Sequence, residues 1–285
     1  MEFTKDQTEA IQTFILFDKA DSQRRCFVLK GYAGTGKTTL ISYIVSNFIQ
    51  QKRKLKLIAP TGRAAKVMAM YADYPAGTIH KLIYFLSDAM EGSGLVKAKN
   101  LYKNTLFIVD EASMVGVESL QQEGSLLQDL MDYVFSGEGC SLMLVGDPGQ
   151  LPPVGQTDSP ALHLDYLQHH YPGLAVFSHT LTEVVRQASD SQITRNATHL
   201  RTITDFEPPY FTSLGREVFS INGSELLDAL ESLRKDGDES FVMLTISNKR
   251  AGKWNQEIRN RLFQYEETDV RGEWLMVVKN NYHWA

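Results

Sequence analysis

The sequence predicts an α/β fold in which helices flank a parallel β-sheet. Short apolar runs at residues 26–30 (CFVLK), 55–60 (LKLIAP) and 105–109 (TLFIV) have the length and composition of buried strands. Helical patterns lie between these runs, and alternating strands and helices are typical of parallel sheets. A fourth run at residues 141–145 (SLMLV) continues the alternation.

The composition is that of a protein with a sizeable core. The chain has 285 residues, 43% of them hydrophobic, which suffices for one large or two ordinary domains. The net charge of −5 argues against a surface that binds nucleic acid over its whole area, although it permits a local basic groove. Cys26 and Cys140 lack metal-ligand spacing, and no apolar run approaches the ~18 residues of a membrane span. We therefore expect a reduced, cytoplasmic protein without a membrane partner.

The most specific motif is GYAGTGKTT at residues 31–39. It fits the phosphate-binding pattern G-x-x-x-x-G-K-[ST], and it joins a predicted strand to a predicted helix. In that context backbone amides and the helix dipole favour a phosphate, Lys37 reaches the β- and γ-phosphates, and the Thr38 hydroxyl binds Mg²⁺. The residues predicted to bind a nucleotide here are Gly34, Thr35, Gly36, Lys37, Thr38 and Thr39.

Polar residues follow two of the predicted strands. Asp110 and Glu111 come directly after residues 105–109, where one carboxylate holds Mg²⁺ and the next orients or deprotonates the attacking water. An Asp-Glu pair elsewhere is usually solvated charge, so the position after a buried strand is what favours function. The loop GDPGQLPPV carries Gln150, whose amide either binds a γ-phosphate or belongs to an ordinary tight turn.

Three further residues permit two interpretations each. Gln7 has capping-box spacing to Thr4, yet a glutamine upstream of a phosphate loop also commonly reads adenine. Thr61 fits the N-cap of a helix, yet it also follows a strand at the edge where parallel sheets bind ligands. His80 shows no periodicity that favours function over an ordinary core or surface histidine.

Several motifs together carry a family resemblance. GYAGTGKTT, APTGRAA, GTIHKL, VDEASM, GDPGQLPPV and LTEVVRQ occur in an order that resembles the superfamily one helicases of the 5′-to-3′, RecD/Dda-like branch. FTKDQTEAI resembles that family's adenine-reading motif, which moves the interpretation of Gln7 toward function. The resemblance implies a RecA-like P-loop NTPase fold and ATP-dependent, Mg²⁺-dependent movement along single-stranded DNA. The resemblance also implies binding to single/double-strand junctions. It does not specify whether the protein has a partner subunit in a recombination or repair complex.

The resemblance also assigns roles to individual residues. It implies that Lys37 and Thr38 bind phosphate and Mg²⁺, that Asp110 holds the metal and that Glu111 activates water. Gln150 would sense the γ-phosphate. Arg186 in LTEVVRQ matches an arginine finger that acts across an interdomain cleft, with an arginine packed at a domain boundary as the alternative. The residues expected to contact DNA are Thr61, Arg63, Thr78 and His80, with Asn248 as a further candidate in the second domain.

The same resemblance divides the chain into domains. Residues 1–187 are expected to form a first RecA-like ATPase domain whose insertion at about 87–104 is either a small hairpin or a solvated loop. Residues 188–265 would form part of a second RecA-like domain with its clearest strand at 241–247, and residues 266–285 would begin an inserted β-domain. The family's later motifs are missing, so we expect a shortened chain. The alternatives to a helicase are a nucleotide- and DNA-binding fragment without unwinding activity, and a P-loop ATPase that acts on proteins.

Overall fold

The chain forms two units in the computed structural model, Met1–Gln187 and Ala188–Ala285. The structure does not describe Arg186, residues 87–94 of the predicted insertion or most of residues 266–285. The structure describes residues 3–86, 95–117, 125–183, 191–203, 210–211, 217–235, 242–265, 267, 270–271 and 273.

A six-stranded sheet lies at the centre of the described part of the first unit, and all of its neighbouring strands run parallel. The strand order is β3-β2-β6-β7-β1-β8, and β4 and β5 form a separate antiparallel pair. The predicted α/β class with a parallel sheet is therefore confirmed. The strands are β1 (Arg25–Gly31), β2 (Lys54–Ala59), β3 (Ala76–Thr78), β4 (Tyr84–Leu86), β5 (Leu95–Lys97), β6 (Thr105–Val109), β7 (Ser141–Gly146) and β8 (Ala175–Leu181).

Helices cover both faces of this sheet. The first helix begins after Thr4, where both hydrogen bonds of the predicted capping box to Gln7 are present. The third begins after Thr61, whose hydroxyl accepts from the Ala64 amide as an N-cap. The helices of the first unit are α1 (Lys5–Lys19), α2 (Lys37–Gln50), α3 (Gly62–Ala72), α4 (Ile79–Ile83), α5 (Leu126–Ser136) and α6 (Leu164–His170); those of the second are α7 (Gln192–Thr202), α8 (Leu226–Lys235) and α9 (Asn248–Arg261). No helix among the described residues is both long and apolar enough to cross a bilayer.

The sheet separates two hydrophobic layers because successive strand residues point to opposite faces. Along β1, Phe27 and Leu29 face the layer with α1, α2 and α3, whereas Cys26 and Val28 face the layer with α4, α5 and α6. At the centre of the first layer Phe17 is fully buried, with ring centroids 5.8 Å from Phe27 and 5.9 Å from Phe177. The sheet is thus held by side chains on both of its faces.

Several boundaries differ from the sequence prediction. The edge strand β8 was not predicted, since its residues AVFSHTL include polar positions and are only partly buried. Among the described residues, the helix between the third and fourth apolar runs begins only at Leu126, after the N-cap Ser125. β5 lies within the expected insertion and pairs antiparallel with β4, which ends just before it; the connection between the two strands lies outside the described residues, so both alternatives for the insertion stay predictions.

The strand predicted at residues 241–247 is wrong over its described part. Residues 242–247 form no strand, and Val242, Leu244 and Ile246 expose 79%, 90% and 87% of their surface. A strand requires a hydrogen-bonded neighbour. The described residues of the second unit contain helices and irregular segments but no strand that could pair with this run.

We expect Phe17→Ala to lower the free energy of unfolding by about 3–5 kcal/mol, because it removes a fully buried ring and leaves a cavity. Leu16→Ala is the matched control, since Leu16 is 65% exposed and its truncation should change stability by about 0.5 kcal/mol or less. Denaturant unfolding of both variants measures the difference. Equal losses would contradict the described core.

Candidate nucleotide site

The phosphate loop joins β1, which ends at Gly31, to α2, which begins at Lys37. Gly34 and Gly36 have φ values of 84° and 89°, a left-handed conformation that side-chain-bearing residues rarely adopt and that turns successive amides toward one point. A Cβ at Gly31 would lie 2.6 Å from Oγ1 of the buried Thr35. Glycine is therefore required at these places if the loop is to keep its path.

Lys37 lies over this loop. Its Nζ donates to the carbonyl oxygens of Gly31 at 2.5 Å and Tyr32 at 3.1 Å. The same Nζ is 3.9 Å from Oδ2 of Asp147, a buried carboxylate in the loop after β7. The ammonium group is thus held beside the phosphate loop, where it can attract an anion.

Asp110 and Glu111 follow β6 as predicted. Asp110 Oδ1 accepts from the Glu111 amide at 2.9 Å, and Asp110 Oδ2 accepts from the Tyr71 hydroxyl at 2.6 Å. Burial and the carboxylates of Asp110 and Glu111 raise the pKa of Tyr71, so its hydroxyl stays protonated and serves as a donor. The position of Asp110 is therefore fixed through both of its carboxylate oxygens.

Glu111 is in a chemically unusual environment. Its φ of 54° is left-handed, which is uncommon for a residue with a long side chain. Burial and the adjacent Asp110 carboxylate raise the pKa of Glu111, while a hydrogen bond from Gln150 and the charge of Lys37 oppose that rise. Carboxylates with raised pKa values are suited to proton transfer at neutral pH.

The loop after β7 contributes two residues. Gln150 Oε1 accepts from the Ser113 hydroxyl at 3.2 Å, so the amide predicted to sense a γ-phosphate lies next to the segment that follows Glu111. Asp147 Oδ1 accepts from the Gly149 amide at 2.8 Å. Asp147 is not among the site residues that the sequence predicts, although its position directly after the buried strand β7 is a signal that could identify it.

The Gln7 side chain connects α1 to the phosphate loop. Its Oε1 accepts from the Thr4 amide at 3.2 Å, and its Nε2 donates to the Thr35 carbonyl oxygen at 3.4 Å. Gln7 is 3% exposed. The capping role is thus present in the structure, and the adenine-reading role stays a prediction.

The DNA-binding candidates fall into three places. Thr61 and Arg63 line a cavity of about 280 Å³ together with Asp110, Glu111 and Gln150. This cavity therefore joins two of the DNA-binding candidates to the carboxylates.

Thr78 and His80 are outside its lining: Thr78 caps α4 by accepting from the Lys81 amide, and the exposed His80 ring packs 5.7 Å from that of Tyr84. Desolvation of the ring by its neighbours lowers the pKa of His80. Asn248 is the first residue of α9 in the second unit, and Arg186 is not among the described residues.

The residues of the first unit suit a nucleoside triphosphate with Mg²⁺. The left-handed glycines and the amino terminus of α2 provide amide donors, Lys37 provides a cation, and Thr38 and Thr39 lie in the first turn of the helix. The exposed Thr38 hydroxyl and the Asp110 carboxylate are oxygen ligands of the kind that Mg²⁺ prefers.

A parallel sheet with a phosphate loop after one strand and an acidic pair after another defines a P-loop nucleotide-binding protein. The chain belongs to the AAA domain family, whose model matches residues 2–205.

Two curated relatives are helicases. The chain is 26% identical to the ATP-dependent DNA helicase dda of Enterobacteria phage T4, over 97% of this chain and 61% of the phage protein. It is 32% identical to the ATP-dependent RecD2 DNA helicase of Deinococcus radiodurans, over 61% of this chain and 21% of that protein. The chain thus spans less than two thirds of the length of each relative. The similarity to both proteins confirms the resemblance to the RecD/Dda-like branch. Among solved structures, unliganded Pif1 from Bacteroides sp. aligns with a TM-score of 0.44 and 22% identity, covering 90% of this chain and 56% of that one.

We expect Glu111→Gln to raise thermal stability at neutral pH. The pKa of Glu111 is raised in the folded protein, so its ionised form opposes folding above that pKa, and this penalty disappears as the pH falls below the unfolded value of roughly 4.3. The gain in melting temperature should therefore be present at pH 7 and absent near pH 4.

Glu138→Gln is the control, because the ion pair with Lys103 lowers the pKa of the exposed Glu138 carboxyl. That variant should give no gain at pH 7. A gain for Glu111→Gln that persists unchanged at pH 4 would contradict the electrostatic explanation.

Proposed function

We propose that this chain is an ATP-hydrolysing DNA motor that moves 5′-to-3′ along single-stranded DNA and unwinds DNA at single/double-strand junctions. The observation that carries the proposal is the cavity that Thr61 and Arg63 share with Asp110, Glu111 and Gln150. The dda and RecD2 relatives are ATP-dependent DNA helicases, and this similarity supports the same activity.

The proposed hydrolysis uses side chains of the first unit. Lys37 binds the β- and γ-phosphates, Thr38 and Asp110 hold Mg²⁺, and Gln7 reads the adenine. Glu111 orients the attacking water and accepts its proton, for which its raised pKa is suited. Bound Mg²⁺ would neutralise charge that develops on the transferred phosphoryl group.

Gln150 is the proposed sensor of the γ-phosphate. Its contact with Ser113 connects the loop after β7 to the segment after Glu111, so loss of the phosphate would alter both loops. Such a response would report the state of the nucleotide to the neighbouring residues that we propose to bind DNA.

Arg186 is the proposed arginine finger, on the basis of the motif LTEVVRQ. The chain that leads to it is held by Asp6, whose Oδ2 accepts from the amides of Thr182 at 2.7 Å and Glu183 at 3.1 Å. We assign residues 1–187 to a first RecA-like domain, 188–265 to part of a second and 266–285 to the beginning of a β-domain. Hydrolysis would then drive opening and closing between the two RecA-like domains.

The proposed DNA contacts are the polar groups at the amino termini of two helices, α3 and α4. Thr61 and Arg63 begin α3, Thr78 and His80 begin α4, and Asn248 of α9 is the candidate in the second unit. A cytoplasmic location follows from the proposed substrates, ATP and DNA.

The hairpin of β4 and β5 is the proposed element at the junction between single and double strands. It is held to α5 through Asp129, which accepts from the Tyr84 hydroxyl at 2.6 Å and forms an ion pair with Lys97. Because Asp129 is buried, this pair of contacts fixes the base of the hairpin.

We expect Mg²⁺-dependent ATP hydrolysis that single-stranded DNA stimulates, and its loss by roughly 10²-fold or more in Lys37→Ala, which removes the cation at the phosphates. Steady-state hydrolysis with and without a strand measures both effects. Lys54→Ala is the matched control. Lys54 lies at the amino-terminal end of β2, whereas the phosphate loop follows the carboxyl end of β1, so its loss should leave hydrolysis unchanged.

Displacement assays on duplexes with a 5′ or a 3′ overhang test the direction of movement. Unwinding that requires the 5′ overhang supports the proposal, and a requirement for the 3′ overhang contradicts it.

Hydrolysis with a strand affinity no better than that of a charge-matched control protein would favour an ATPase that acts on proteins. Strand binding without unwinding would favour the nucleotide- and DNA-binding fragment.

A further inference from the structure

Tyr71 contacts two parts of the nucleotide site from one position near the end of α3. Its hydroxyl donates to Asp110 Oδ2 at 2.6 Å, at the end of β6. Its carbonyl oxygen accepts from the Ser42 hydroxyl at 2.9 Å, on the helix that follows the phosphate loop. None of the sequence motifs that predict the site includes Tyr71.

The opposite end of the same helix faces the proposed DNA side of the site. Thr61 caps α3 and Arg63 lies in its first turn, and both line the cavity that contains Asp110 and Glu111. The helix between them spans 11 residues, Gly62–Ala72, and its inner face is fixed by the buried side chains of Ala65, Met68 and Ala72. Because α3 is short and packed along its inner face, a displacement of the whole helix would carry both Arg63 and Tyr71.

We propose that Tyr71 is a positioning residue that couples binding of a single strand at Thr61 and Arg63 to the placement of the metal-binding carboxylate of Asp110. The inference rests on the proposed DNA-dependent ATPase activity and adds a route by which the strand regulates it. A strand that holds α3 in place keeps the Tyr71 hydroxyl on Asp110 Oδ2, while the Glu111 amide holds Oδ1. Without the hydroxyl, one oxygen of Asp110 loses its partner and the carboxylate is free to rotate away from the metal.

A purely structural role for the hydrogen bond makes a different prediction. If it only fastened α3 to the sheet, its loss would lower stability and leave the Mg²⁺ requirement of the folded enzyme unchanged. The Mg²⁺ dependence of hydrolysis and the stimulation by DNA therefore separate the two roles.

The test is Tyr71→Phe, which removes the hydroxyl and keeps the ring. We expect the Mg²⁺ concentration for half-maximal hydrolysis to rise roughly 10-fold, as for other partners of metal ligands. We also expect the ratio of DNA-stimulated to basal hydrolysis to fall several-fold, with little change in strand affinity.

Tyr74→Phe is the matched control. It removes the same hydroxyl group three residues further along the chain, from a tyrosine that packs against the same core cluster. It should leave both quantities unchanged. An unchanged Mg²⁺ requirement and stimulation ratio in folded Tyr71→Phe would overturn the proposal.

Two further variants keep the test decisive. If Tyr71→Phe fails to fold, Ser42→Ala removes the hydroxyl that lies 2.9 Å from the carbonyl oxygens of both Tyr71 and Thr38 and should lower the stimulation ratio in the same direction; no change in that variant would overturn the route. The pair Arg63→Ala and Tyr71→Phe should be non-additive in the stimulation ratio, because both interrupt one route. Full additivity would overturn the coupling.

The same experiment separates failure of this inference from failure of the proposed function. A parent protein whose hydrolysis ignores DNA contradicts the DNA-dependent function and with it the coupling. The Mg²⁺ dependence of Tyr71→Phe would then still report whether Tyr71 positions Asp110. A DNA-stimulated parent with an unaffected Tyr71→Phe contradicts the inference alone.

Discussion

The parallel pairing of β1, β6 and β7 is the constraint on which the site depends. Lys30 pairs with Gly146, and Val109 pairs with Leu144, so the three strands end at the same edge of the sheet. The phosphate loop, the acidic pair and the loop with Gln150 start from those ends. Since ligands of such sheets bind at the carboxyl ends of strands, the register of the sheet determines which polar groups meet.

This convergence brings charges of one sign close together. Asp147 and Glu111 interact with the ammonium of Lys37, and Asp110 adjoins Glu111. Burial and these acidic neighbours raise the pKa of Glu111. Such an arrangement opposes stability and suits a site that receives a cation and an anionic phosphate chain together. The left-handed backbone of Glu111 adds conformational strain at the same point.

The sequence predicted the parts of the fold that depend on local pattern. Continuous apolar runs identified β1, β2, β6 and β7, because central parallel strands are buried on both faces. The edge strand β8 was not predicted, because it contains both polar and apolar residues and so forms no continuous apolar run. Residues 242–247 have a similar apolar pattern, yet they form no strand, since a strand depends on a partner that the local sequence does not specify.

The candidate site was predictable to the same extent. Motif spacing located the phosphate loop and the acidic pair, but the Tyr71 hydrogen bond joins residues 39 positions apart in the chain and has no local signal. Asp147, the acidic partner of Lys37, lies in a loop rich in glycine and proline, and that composition is also typical of a tight turn without a ligand. Tertiary contacts of this kind follow from the packing of helices on the sheet rather than from the residues beside them.

Two adjacent residues of α1 have a consequence for any shortened version of this protein. Gln7 contacts the phosphate loop through the Thr35 carbonyl oxygen, and Asp6 contacts the end of β8 through two backbone amides and His179. An expression boundary placed after Gln7 would retain every phosphate-binding residue and remove both contacts. The smallest fragment that keeps the nucleotide site intact therefore begins before Thr4, well upstream of the motif by which the site is recognised.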